Sequence, residues 1–167
     1  MPTEVPTPTA TPTPLGELTT LGEHGFRLVL IGNIDVQQQG LTGTDPDASQ
    51  GQANFAYGGA DVFLLWLPAA DLSAADLLAG TFASLQQGQS DIDFTATNEG
   101  AISAGGQDGV FGGFTASASG EVVGGGLIGS WRCPSTDTIF SLTVTGEDST
   151  TVQVRFDELT SSFECAQ

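Results

Sequence analysis

Eleven glycines lie between Gly100 and Gly129, interleaved with Val110, Phe111, Phe114, Val122, Val123, Leu127 and Ile128. No helix holds that density, because each interior glycine costs roughly 1 kcal/mol relative to alanine. A flexible linker would not carry the large apolar side chains. The pattern is that of strands in which glycine supplies turns, bulges and close backbone approach. Ile92–Thr97, Val110–Ser117, Val122–Cys133 and Thr138–Thr145 read as four strands, with hairpin turns near Gly105-Gly106 and Gly120. This half of the chain therefore reads as an antiparallel meander.

The half before it reads as strands and one helix. Phe26–Ile31 is an apolar strand ending at Gly32. Asp45-Pro46-Asp47 is a turn signal. Ala53–Tyr57 and Asp61–Leu67 form a hairpin across Gly58-Gly59. The second of these strands is apolar at every position after Asp61, which predicts cover on both faces. Ser73 then caps a helix, with Asp76 three residues on in a capping-box arrangement. Leu78, Phe82 and Leu85 fall on one helical face, and Gly88 is the stop. At the C-terminal end, Val152, Val154 and Phe156 alternate as in a strand. Val152, Phe156, Leu159 and Phe163 follow a longer helical spacing, which predicts a helix over 149–163 capped by Ser149. The sum is an α+β domain, one antiparallel sheet with helices packed on it.

Residues 1–14 read MPTEVPTPTATPTP and cannot bury a core. Proline at this density favours an extended polyproline II segment, and Thr/Pro tracts serve as stalks. Residues 1–20 thus read as a linker and 21–167 as one globular domain. No apolar run is long enough to span a bilayer; the longest is Val62–Leu67.

Charge excludes several functions. The chain has three arginines, no lysine and twenty carboxylates, for a net charge of −17. Charged residues make up 14%, against the roughly 25% usual for soluble domains, so the protein is acidic because bases are missing. Three arginines cannot build a phosphate-binding face, and nucleic acid and anionic lipid are excluded as partners. One histidine and two cysteines cannot make a zinc cluster of standard spacing.

The remaining candidates are few. Cys133, at a strand end, and Cys165, after the last helix, are placed for a disulfide; the alternative is two buried thiols. A bridge between them would close a loop for which the chain-entropy relation gives roughly 3.7 kcal/mol. Gly124-Gly125-Gly126-Leu127-Ile128-Gly129 matches G-x-G-x-x-G, but no helix follows to receive a pyrophosphate, so it reads as a glycine-rich hairpin. Asp45 and Asp47 open a sequence similar to a calcium loop, with Gln50 where glycine belongs and Ala56 where glutamate belongs. Asp91 and Asp93 share one face of a strand and are the other weak cation candidates. His24 is the sole histidine, and no G-x-S-x-G elbow accompanies it. Any acid–base catalysis would fall on carboxylates, and no spacing singles out a pair. Trp66 and Trp131 sit in apolar strands and read as core.

The order of elements resembles the PsbP-like domains, the family of the photosystem II extrinsic subunit and its bacterial relatives. Four stretches carry the resemblance, which spans about Gly25 to Cys165: the Gly25-Phe26 start; Phe63-Leu64-Leu65-Trp66 ahead of Leu72-Ser73-x-x-Asp76-Leu77-Leu78; the turn Gly105-Gly106-Gln107-Asp108-Gly109; and the closing Phe156-x-x-Leu159-x-x-x-Phe163. Where the family often has Tyr-Pro and Trp, this chain has Leu30-Ile31-Gly32. The resemblance implies an α-β-α sandwich. Many bacterial relatives are secreted lipoproteins, and the family has no shared catalytic residues to carry over.

The expectation is a non-catalytic domain without a cofactor, outside the cell or at its surface. It is held there by the N-terminal segment and binds a protein or surface ligand. A small-molecule or calcium-binding domain is the alternative, and a carboxylate-dependent hydrolase the third.

Overall fold

The computed structural model describes residues 16–167. Ten strands and two helices follow in the order β1 (Leu18–Leu21), β2 (Phe26–Ile31), β3 (Gln37–Gln39), β4 (Gly51–Tyr57), β5 (Ala60–Pro68), α1 (Ala74–Gly88), β6 (Asp93–Ala104), β7 (Gln107–Ala118), β8 (Glu121–Cys133), β9 (Thr138–Gly146), α2 (Ser149–Ser162) and β10 (Glu164–Cys165). The fold class is α+β, as expected. There are two antiparallel sheets rather than one. The large sheet runs β3-β4-β5-β9-β8-β7-β6, and the small one runs β1-β2-β10.

Local sequence explains most of these elements. Ser73 accepts from the Asp76 amide while the Asp76 carboxylate accepts from the Ser73 amide, closing the expected capping box on α1. The turns at Gly58-Gly59, Gly105-Gly106 and Ser119-Gly120 have positive φ at both residues. That geometry matches the twist of the paired strands and favours glycine. Strand β6 extends to Ala104, well past the expected Thr97, because Thr97 and Asn98 are absorbed in a bulge between Ala96 and Glu99 and pairing with β7 resumes. Helix α2 starts where expected, but Asp148 rather than Ser149 caps it, through its carboxylate and the amides of Thr150 and Thr151.

The two faces of the large sheet are covered unequally. On one lie α2 and the small sheet. Leu64, Trp66, Trp131, Phe140, Leu142 and Val144 from the large sheet pack there with Phe26, Leu28, Leu30, Phe156, Leu159 and Phe163, all at most 3% exposed. Phe163 stands edge-on to Trp131, with ring centroids 4.8 Å apart. On the other face, among the described residues, lies α1 alone, whose one buried residue is Leu77, packed with Ala69 and Ile139. Leu78, Phe82 and Leu85 are only half-buried. The expectation that β5 is covered on both faces is met in full on one face and in part on the other. Val62, Leu64 and Trp66 are buried, whereas Phe63, Leu65 and Leu67 under α1 are partly exposed, because one helix cannot roof seven strands.

The N-terminal boundary also differs from expectation. Strand β1 begins at Leu18, inside the segment read as linker, because β2 offers it a partner from Leu18↔Ile31 to Leu21↔Leu28. The Pro/Thr tract 1–14 lies outside the described residues.

Candidate functional site

The sequence-derived candidates separate clearly in space. Cys133 and Cys165 form the expected disulfide, with Cα atoms 5.6 Å apart. Cys133 ends β8 and is fully buried; Cys165 lies in β10, which pairs with the start of β2. The bridge therefore clamps the chain end over the aromatic core.

Asp47 is a turn residue. Its Oδ1 accepts from the Ser49 hydroxyl at 2.7 Å, the Ser49 amide at 2.7 Å and the Gln50 amide at 3.0 Å. The Ser49 hydroxyl contributes most to holding this carboxyl down at about 2. That oxygen is engaged in closing the turn, and Asp45 contributes its backbone carbonyl to Gln50. Asp91 and Asp93 are exposed, in the turn before β6 and at its first residue. Among the described residues, no group of three or more histidine, cysteine, aspartate or glutamate side chains is placed to hold a metal ion. His24 is half-buried and stacks on Trp66, with centroids 5.5 Å apart. Trp66 and Trp131 are both completely buried, so neither offers a surface platform. The glycine run of β8 is strand throughout, as expected.

Sequence reading missed the open spaces beside the helices. Between α1 and β6–β8 lies a groove of about 340 Å³, lined by Leu78, Phe82, Ala96, Glu99, Phe114 and Ile128 among others. On the other flank of α1 lies one of about 490 Å³, lined by Phe63, Leu65, Leu72 and Leu77 among others. On the opposite sheet face, beside α2, a groove of about 380 Å³ has Gly113, Gly124, Gly125 and Gly126 in its lining with Thr97 and Asn98. None of the three is lined by a base, and each has at least one carboxylate: Glu99, Asp76 or Glu147. They suit apolar and cationic groups and repel anions. The half-apolar face of α1 was the available signal. How little it covers depends on the width of the sheet.

The floor beneath α1 is unusually polar. Ser141 on β9 shares a hydrogen bond of 2.9 Å with Thr81 of α1. Its cross-strand neighbour Ser130 and nearby Thr143 are buried, with hydroxyls that have no partner among the described residues. Unpaired buried hydroxyls weaken the seat of the helix.

No family model matches the chain, and no curated protein matches it. Among solved structures, the chain is similar to cyanobacterial PsbP (CyanoP) from Synechocystis sp. PCC 6803, with a TM-score of 0.65 and 15% identity over 95% of this chain and 98% of that one. A Pseudomonas aeruginosa protein of unknown function aligns over 85% of this chain and 90% of its own, with 13% identity and a TM-score of 0.43, too low to carry an argument. The resemblance read from the sequence is thus met at the level of architecture: the chain has a PsbP-like fold.

Proposed function

We propose that this chain is a non-catalytic accessory domain that works outside the cytoplasm, held by its Pro/Thr-rich N-terminal segment and binding a protein or surface ligand. The disulfide carries the reading. Cys133 and Cys165 are joined across a sequence separation of 32, at the junction of the last strand with the core. Such bridges persist in oxidising compartments and are rare in the cytosol. The incomplete roof over the α1 face supports the binding role, since it leaves apolar surface open in grooves.

The test is the intact mass of the protein from its source cells, measured with and without reduction, in separated cytoplasmic and envelope or secreted fractions. A chain two hydrogens lighter than its reduced form, found outside the cytoplasm, is the expected result. Two free thiols in the cytoplasmic fraction would overturn the proposal.

A further inference from the structure

Strand β6 ends the seven-stranded order, so one row of its backbone groups faces away from β7. It is twelve residues long, and nine of them are exposed. The opposite edge, β3, is blunted by its length of three residues. Long edges are normally guarded by lysine, proline or a covering element. Strand β6 contains neither residue, and its bulge interrupts only the first part. From Glu99 to Ala104 the register with β7 is continuous, Glu99↔Gly112 to Ala104↔Gln107. Ala104 is completely buried, so Glu99–Ser103 is the part of this run that offers a regular template for one more strand.

Two further observations point to an occupant. The groove beside α1 and the glycine-lined groove beside α2 lie on opposite faces of the sheet, and both reach β6 at the bulge: one at Ala96 and Glu99, the other at Thr97 and Asn98. A strand added to the edge sends alternate side chains to opposite faces, where long ones can lean towards both grooves. The charge is one-sided. Strands β6 and β7 carry no base, whereas Asp93, Glu99 and Asp108 lie along them and Asp91 just before. All three arginines are already paired, with Glu164, Asp137 and Glu158. A second copy, itself of net charge −17, would set its own Asp93, Glu99 and Asp108 against this edge if it paired through β6.

We infer that the Glu99–Ser103 edge of β6 binds an extended, basic segment of a partner protein by β-strand addition. This gives the proposed binding role a surface and rests on it.

An amide NMR titration tests it, with a synthetic peptide of alternating lysine and valine at physiological salt. Three comparison peptides are used: alternating glutamate and valine, a scrambled lysine–valine sequence, and the first peptide N-methylated at its centre. The expected result is saturable shifts concentrated at residues 99–103, lost with the acidic and N-methylated peptides. Ala101→Lys with Ser103→Lys, at exposed edge positions, should weaken binding by about tenfold or more with unchanged melting temperature. Gln37→Lys with Gln39→Lys adds the same charge at the other edge and should leave the β6 shifts in place. Dispersed or absent shifts, equal binding of the N-methylated peptide, or equal loss in the β3 variant would overturn the inference. So would a sedimentation-detected dimer dissolved by the β6 substitutions, which would assign the edge to a second copy. The compartment assay above is read separately, so a failed titration with a secreted, disulfide-bonded chain removes the edge and leaves the location.

Discussion

The indole N–H of Trp66, buried in the core, donates to the backbone carbonyl of Asp47 at 2.8 Å. One bond thus ties the β3–β4 loop to the centre of the large sheet. Trp131, equally buried, has no partner for its indole N–H among the described residues. The two tryptophans have the same burial but different hydrogen bonding. Both Trp→Phe changes lose ring volume, but only Trp66→Phe also breaks a bond. Trp66→Phe should therefore cost more than Trp131→Phe by about 1–2 kcal/mol, measured by urea denaturation.

Gly51, which follows this loop at the start of β4, sets a second expectation. A Cβ at Gly51 would stand 2.3 Å from the Trp66 ring, far inside contact distance. Gly51→Ala should destabilise the domain by about 1–3 kcal/mol, seen as a lowered denaturation midpoint. Gly16→Ala, where a Cβ meets nothing within 4 Å, is the matched control.

Acid should loosen this loop late. The Asp47 carboxyl sits at about 2 rather than its ordinary 3.8, first because the Ser49 hydroxyl bonds its charged form. A depressed folded value means the stabilisation is whole above the ordinary value and is lost as pH falls towards about 2. The protection of the Ser49 and Gln50 amides, measured against their intrinsic exchange rates at each pH, should fall in that window. Asp47→Ala should show fast exchange there already at neutral pH.

Reducing the bridge tests the clamp at the chain end. Cys133→Ala with Cys165→Ala should cost about 3.7 kcal/mol on the chain-entropy relation, read from denaturation midpoints of the oxidised wild type and the variant. Weakened pairing of Glu164 and Cys165 with β2 should appear first, as faster amide exchange.

The hydroxyl floor under α1 predicts opposite signs for two neighbouring serines. Ser130→Ala removes a buried hydroxyl that has no partner among the described residues and should be neutral or stabilising by up to about 1 kcal/mol. Ser141→Ala breaks the bond to Thr81 and should destabilise by a similar amount. Equal destabilisation by both would mean that Ser130 has a partner in solution.

Local chemistry was readable without coordinates. The Ser73–Asp76 box, the Gly58-Gly59 and Gly105-Gly106 turns, and the Val152, Phe156, Leu159 and Phe163 face of α2 each depend on residues close together in the chain. The cysteine pair was readable because only two are present. The short strands were not: Gln37–Gln39 has no apolar pattern, and pairs only because β4 lies beside it. The grooves and the open edge were not readable either.

The sequence by itself thus determined the glycine turns, the α1 cap, the α+β class and the acidic surface, since these follow from composition and short-range periodicity. Only the tertiary structure decided that β5 joins β9, that β6 ends the sheet, and that α1 roofs one face incompletely. The physical reason is distance along the chain. Whether Phe63 is covered or Ala101 lies on an edge is set by pairings such as Asp61↔Thr145, far apart in sequence, and by the width of the sheet they build.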